Sequence, residues 1–217
     1  MSDPWSWTVS LAAAYLLGAV PFGVIIAKYV SGVDVRSVGS GGTGATNVAR
    51  SSGKKAGIAA LLLDGGKGAV AILIAKQLAD GQPHLVEALA GILVIVGHNW
   101  PVFTGFKGGK GIAAGWAALT VISPWASLAA AVVALPVVGI SRYVSLGSIV
   151  GTLAGLIFLI LQIVAFDYGG PGYFLYIGIG GFLVIWRHSA NIKRLLNSEE
   201  NKLGRRVKMP DSETAQS

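Results

Sequence analysis

Residues 56–75 read Ala-Gly-Ile-Ala-Ala-Leu-Leu-Leu-Asp-Gly-Gly-Lys-Gly-Ala-Val-Ala-Ile-Leu-Ile-Ala, an apolar run broken only by Asp64-Gly65-Gly66-Lys67-Gly68. This run decides between two folds. Just before it, Gly39-Ser40-Gly41-Gly42-Thr43-Gly44 matches G-x-G-x-x-G, and Asp64 follows about twenty residues on, as a dinucleotide fingerprint asks. That fingerprint needs strands alternating with helices around it. Residues 56–75 instead form a run of about twenty mostly apolar residues, long enough to cross a bilayer as one helix. The glycine motif then lies in a loop between membrane helices, and the dinucleotide reading is rejected.

The rest of the chain agrees. Of 217 residues, 53% are hydrophobic and 12% charged, against about 25% charged in a soluble domain. The mean hydropathy is +0.65. The 31 glycines suit helices packed closely in lipid. The fold class expected is all-α, a polytopic membrane helix bundle. Residues 1–208 are read as one domain and 209–217 as a disordered tail. There are no cysteines, which excludes disulfides and thiol chemistry, and the 3 histidines show no metal-ligand spacing. No metal and no cofactor are expected.

Seven spans are expected: Trp5–Val30 with Pro21 kinking it, Ala56–Leu78, Leu85–Phe103, Ile112–Val121, Trp125–Ile140, Leu146–Phe166 and Tyr173–Trp186. Ile112–Val121 is short for a full crossing. No Lys or Arg precedes the first apolar run, so that run reads as a retained helix with its N-terminus outside. Segments 31–55, 104–111, 141–145 and 187–217 then lie inside and carry nearly all the basic residues, while Asp3, Asp80, Glu87 and Asp167 fall outside. The net charge of +7 thus marks cytoplasmic loops and anionic lipid contact rather than nucleic acid.

Three inside segments carry chemistry. Ser37–Arg50 combines Gly39, Gly41, Gly42 and Gly44 with Ser40, Thr46, Asn47 and Arg50, the parts of an oxyanion cradle suited to phosphate. Gly105-Phe106-Lys107-Gly108-Gly109-Lys110-Gly111 lacks P-loop spacing but offers amides and two lysines; alone it could equally be a flexible basic loop. His188 and Asn191, with Arg194 and Glu200 beyond, could supply a base or phosphate donors, or a plain interfacial surface. Asp64 and Lys67 inside a span read as a structural ion pair, and His98-Asn99 before Pro101 as a helix-end anchor.

These elements, in this order, resemble the bacterial acyl-phosphate:glycerol-3-phosphate acyltransferases, small multi-pass membrane enzymes. The resemblance runs from Pro21 to Gly204. It rests on Gly39-Ser40-Gly41 through Thr46-Asn47 and Arg50, Asp64, Lys67-Gly68, Gly97-His98, the Gly105–Gly111 loop, Arg142-Tyr143-Val144-Ser145, and His188 with Asn191 to Leu195 and Glu200. The chain departs at Gly42, where the family usually has Asn; at Thr43, where it has a bulky apolar residue or Pro; at Ser189, where it has Arg; and at Ser198, where it has Gly.

The resemblance implies transfer of a fatty acyl group from acyl phosphate to the 1-hydroxyl of sn-glycerol 3-phosphate, giving lysophosphatidic acid and inorganic phosphate. It implies no metal, no cofactor and no acyl carrier. On that resemblance Ser40, Lys107, His188 and Asn191 are the catalytic candidates. The phosphate- and substrate-binding candidates are Gly41, Thr46, Asn47, Arg50, Gly108, Gly109, Lys110, Arg142, Ser145 and Arg194. His188 or a substrate phosphate oxygen would be the general base. The expected partners are the two substrates, membrane lipids and the enzyme that makes the acyl phosphate, at the bacterial inner membrane with the site facing the cytoplasm. The main rival is a phosphate or organophosphate transporter, which would favour an inverted repeat that the sequence does not show.

Overall fold

The computed structural model describes residues 4–78 and 82–204, all helices and connections, with no strand among them. The residues of the 209–217 tail lie outside that range. Pro21, lacking an N–H, does more than kink the first span. It separates α1 (Pro4–Ala19) from α2 (Phe22–Ser31), and the freed Val20 carbonyl accepts from the Phe22 amide at 3.1 Å and Lys67 Nζ at 2.9 Å. The connecting segment that follows contains a 3-10 turn, Val35–Ser37, and the short helix α3 (Ala45–Ser52). Next come α4 (Lys54–Leu78) and α5 (Pro83–Asn99), which ends two residues before Pro101.

The second half contains α6 (Ile112–Ile122), α7 (Pro124–Ser141) and α8 (Val144–Phe166). The last apolar helix starts as α9 (Tyr173–Leu175), passes through π-helical Tyr176–Gly180 and continues as α10 (Gly181–Arg187). The polar helix α11 (Ser189–Leu196) follows at once. Five stretches are long and apolar enough to cross a membrane: Trp5–Ser31, Lys54–Leu78, Pro83–Thr104, Pro124–Ser141 and Val144–Phe166. Ile112–Ile122 and Tyr173–Arg187 are apolar but shorter.

The bundle has the burial pattern of a protein dissolved in lipid. Large apolar side chains such as Leu62, Val132, Val164 and Phe166 are exposed, while Asp64, Lys67, Glu87, His98, Asn99 and Gln162 are buried. Ile72, Ile95, Ile122, Leu159 and Tyr176 pack between the helices. α4 and α6 meet almost backbone to backbone at Gly68, where a Cβ would lie 2.1 Å from the Ala114 carbonyl oxygen. Any side chain there would push α6 away. The expected ion pair is present: Lys67 Nζ is 2.8 Å from Asp64 Oδ1, with His98 Nδ1 at 3.6 Å from the same oxygen. It ties α4 to α5 and, through Lys67, to the break after α1.

Candidate active site

The first glycine loop is shaped by Asn47. Its buried side-chain amide donates to the carbonyls of Val35 at 2.8 Å, Val38 at 3.0 Å and Gly42 at 2.9 Å, and accepts from the Ser40 amide at 3.2 Å. The hydrogen bonds of the Asn47 amide thus go into building the loop, while the residue also lines the cavity. Gly39 and Gly41 take positive φ, 61° and 68°, so the chain can wrap around Asn47, and the Gly41 amide is spent on Val38. Also facing the cavity are Ser40, Gly42, Thr46 and Arg50 together with the first turn of α3. That turn begins at Gly44 without a side-chain cap, so its amides and the positive helix end face the same space. Arg50 donates to the Asn201 carbonyl at 3.1 Å, and its buried Nε has no hydrogen-bond partner among the described residues.

The second glycine loop is pinned from two sides. The Gly109 amide donates to the His98 carbonyl at 3.0 Å, as the helix-end anchor reading expects. Arg187 donates from Nε to the Gly109 carbonyl at 3.0 Å and rests over the Trp100 ring at 5.5 Å. Gly108 and Gly109 are thus buried and supported, and the Gly109 amide is spent within the protein rather than offered to an anion. The pinning delivers Lys110, whose Nζ lies 2.6 Å from Asn191 Oδ1. Lys107 is different. It precedes the pinned glycines, is exposed and lines neither compartment of the site, so the geometry does not support its place beside Ser40.

The third segment closes on Glu200. One carboxylate oxygen accepts from Asn191 Nδ2 at 2.8 Å and from Ser145 Oγ at 3.1 Å, and the other accepts from Arg194 Nε at 2.8 Å. Asn191 and Arg194, one turn apart on α11, converge on this buried acid. Glu200 appears among the residues of the family resemblance but not among the expected site residues, and nothing in local spacing marks it as a hub. Arg187 was legible only as a basic flanking residue. Arg142 stays outside the cavity: it is exposed and latches the tail, donating to the Leu203 carbonyl at 2.9 Å while the Leu203 amide returns to Arg142 at 2.6 Å.

The three segments enclose two adjoining compartments. One, of about 350 Å³, has a polar end at Ser40, Arg50, Lys110, His188 and Glu200 and continues as an apolar trough between α4, α6, α7 and α8. The other, of about 310 Å³, lies between the two glycine loops and the start of α11, against Arg187 and Ser189. Ser40, Gly42, Gly109, Lys110, Asn191 and Arg194 belong to both. Arg50, Lys110 and Arg194 against Glu200 leave the polar end cationic. Burial pulls the Lys110 ammonium down to about 8, with Glu200 opposing the fall and Arg194 and Arg50 adding to it.

His188 is buried, and Nδ1 lies 2.8 Å from the Val184 carbonyl. A carbonyl only accepts, so Nδ1 carries the proton and Nε2 keeps its lone pair. Burial lowers the imidazole to about 4, so it is neutral at physiological pH. Gly42 has room for a side chain: a Cβ would sit 3.7 Å from Ser40 Oγ, in ordinary contact, and its φ is not positive. Ser198 does have a positive φ, 58°, a conformation that suits the glycine the resembled family carries there.

A helical bundle that exposes large apolar side chains, with five stretches of membrane-spanning length, defines an integral membrane protein, and its cavity joins a cationic end to an apolar extension. The family model described as glycerol-3-phosphate acyltransferase matches residues 8–198. A protein of that name from Anaeromyxobacter sp. (strain Fw109-5) is 44% identical over 205 residues, covering 94% of this chain and 99% of the relative. Another from Halalkalibacterium halodurans is 42% identical over 194 residues, covering 89% and 93%. The crystal structure of PlsY (YgiH), an integral membrane glycerol 3-phosphate acyltransferase, in its glycerol 3-phosphate form superposes with a TM-score of 0.82 at 40% identity, covering 92% of this chain and 96% of that one. Its lysophosphatidic acid form gives 0.80 at 39% identity. The chain belongs to the glycerol-3-phosphate acyltransferase family.

Proposed function

We propose that the protein transfers a fatty acyl group from acyl phosphate to the 1-hydroxyl of sn-glycerol 3-phosphate, releasing lysophosphatidic acid and inorganic phosphate. The observation that carries this is the pair of compartments sharing one cationic wall. An acyl phosphate fits the amphipathic compartment, with its chain in the trough and its phosphate at Arg50, Lys110 and the first turn of α3. Glycerol 3-phosphate fits the polar compartment. Their reacting atoms then meet at Ser40, Lys110 and Asn191. The glycerol oxygen attacks the acyl carbonyl, the C–O bond to phosphate breaks, and the hydroxyl proton passes to a base. A mixed anhydride is already activated, so positioning and charge stabilisation supply the acceleration.

His188, neutral and titrating near 4, is a weak base at physiological pH but can accept a hydrogen bond at Nε2 and orient the acceptor. A substrate phosphate oxygen, titrating at about 6, is the stronger proton acceptor. The proposal extends to topology: one domain with seven crossings in the bacterial inner membrane, N-terminus outside and both glycine loops on the cytoplasmic side.

The test is turnover of tetradecanoyl phosphate and labelled glycerol 3-phosphate by protein in lipid vesicles, following ester and phosphate together. Both are expected in equal amounts. Ser40→Ala and Lys110→Ala should each lose about a hundredfold in kcat, the cost of one lost stabilising donor. Lys107→Ala should stay within a few-fold of the parent. Gly42→Asn should fold and lower KM for glycerol 3-phosphate. Phosphate uptake into vesicles without ester would replace this reading with transport.

A further inference from the structure

The lining of the apolar trough, followed away from its polar end, stops at two leucines from different helices. Leu119 of α6 and Leu156 of α8 line it at the deep end, and both are buried. Each leans on a glycine. A Cβ at Gly155 would lie 3.0 Å from Leu119 Cδ2, and one at Gly181 would lie 2.5 Å from Leu156 Cδ1. The leucines therefore fill the gaps left by α8 and α10 rather than project into free space. Behind them stands a closed layer: Ile122 and Leu159 are buried, and Ser123 Oγ donates to Gln162 Oε1 at 2.5 Å. Opening that layer would break a buried hydrogen bond, so it backs the leucines firmly.

We infer that Leu119 and Leu156 form a stop that sets the acyl-chain length the enzyme accepts; this rests on the proposed use of acyl phosphate. Along α8 the cavity runs from Ser145, beside Glu200, to Leu156. That length of helix rises roughly 16 Å. A zigzag chain of ~1.5 Å bonds advances about 1.25 Å per carbon, so roughly thirteen extended carbons reach the stop. Thr152, one turn nearer the polar end, also lines the cavity and is not packed against a glycine. It is the place to raise the floor. The alternative is lateral escape of the chain past Leu135 of α7, which lines the cavity and is also largely exposed.

The experiment measures kcat/KM for decanoyl, dodecanoyl, tetradecanoyl, hexadecanoyl and octadecanoyl phosphate with the full-length protein in vesicles. The parent should peak at dodecanoyl or tetradecanoyl. Leu156→Ala removes three carbons in front of the closed layer and should raise the hexadecanoyl-to-dodecanoyl ratio about tenfold or more, since one methylene refused by an apolar pocket is worth at least that much. Thr152→Leu should shift the peak toward decanoyl. Opposite shifts from two substitutions on one helix cannot come from general loss of folding. A flat profile, or a profile both variants leave unchanged, would overturn the stop and show that the chain leaves sideways into lipid. No ester from any acyl phosphate would overturn the proposed reaction itself, and the stop with it.

Discussion

Lys110 is where charge, burial and position meet. Its ammonium titrates near 8 because burial disfavours the charge, so it is protonated below that pH and loses its charge as pH rises through it. The phosphate of glycerol 3-phosphate is already dianionic above about pH 6, so the acceptor does not titrate in this window. The expected result is a kcat/KM that falls about tenfold per pH unit above 8, since that quantity reports the free enzyme. In Lys110→Arg the guanidinium keeps its charge and the falling limb should disappear, whatever the absolute rate. A limb that persists unchanged in the Arg variant would assign it to another group. Sequence put Lys107 among the catalytic candidates and Lys110 among the binding ones. Only the bonds of Gly109 to His98 and Arg187 show which lysine the loop delivers. Asn47 shows the same limit, because a short polar side chain beside a glycine loop can bind a ligand or build the loop, and spacing does not distinguish the two.

At the scale of elements, the long helices were legible because apolar runs of membrane length have few alternatives. The break at Pro21 was legible in place but not in use: a freed carbonyl needs a donor, and Lys67 supplies it from a helix far along the chain. The turn Val35–Ser37 and helix α3 were not legible, since such short elements hold only through contacts such as those of Asn47. The Asp64–Lys67–His98 group turns the break into a joint between α1, α4 and α5. Asp64→Asn leaves Lys67 buried with its counter-charge removed and should cost about 3–5 kcal/mol, read as a lower unfolding temperature in detergent. The double variant Asp64→Asn, Lys67→Met removes both charges and should recover much of that loss. If the single variant is as stable as the parent, the pair is not holding the joint.

For the whole molecule, contacts sort the loops into two ends. Lys110 with Asn191, Ser145 with Glu200 and Arg142 with Leu203 meet at one end. Lys76 with Val121, Tyr168 with Ile122 and Tyr173 with Glu87 meet at the other. α6 therefore joins opposite ends although it is short, and the Gly105–Gly111 loop before it must dip toward the bilayer. This geometry favours seven crossings over five, and the chain's lack of cysteine makes the difference measurable. Single cysteines replacing the exposed residues Lys54, Lys107 and Glu199 should react with a membrane-impermeant maleimide only from the cytoplasmic side. Those replacing Gln82 and Asp167 should react only from the outer side. If α6 and the α9–α10 helix failed to cross, Asp167→Cys would switch to the cytoplasmic side while Glu199→Cys would not. That single reversal would reduce the bundle to five crossings and part Ser145 from the glycine loops across the membrane, so the shared cationic wall could not exist.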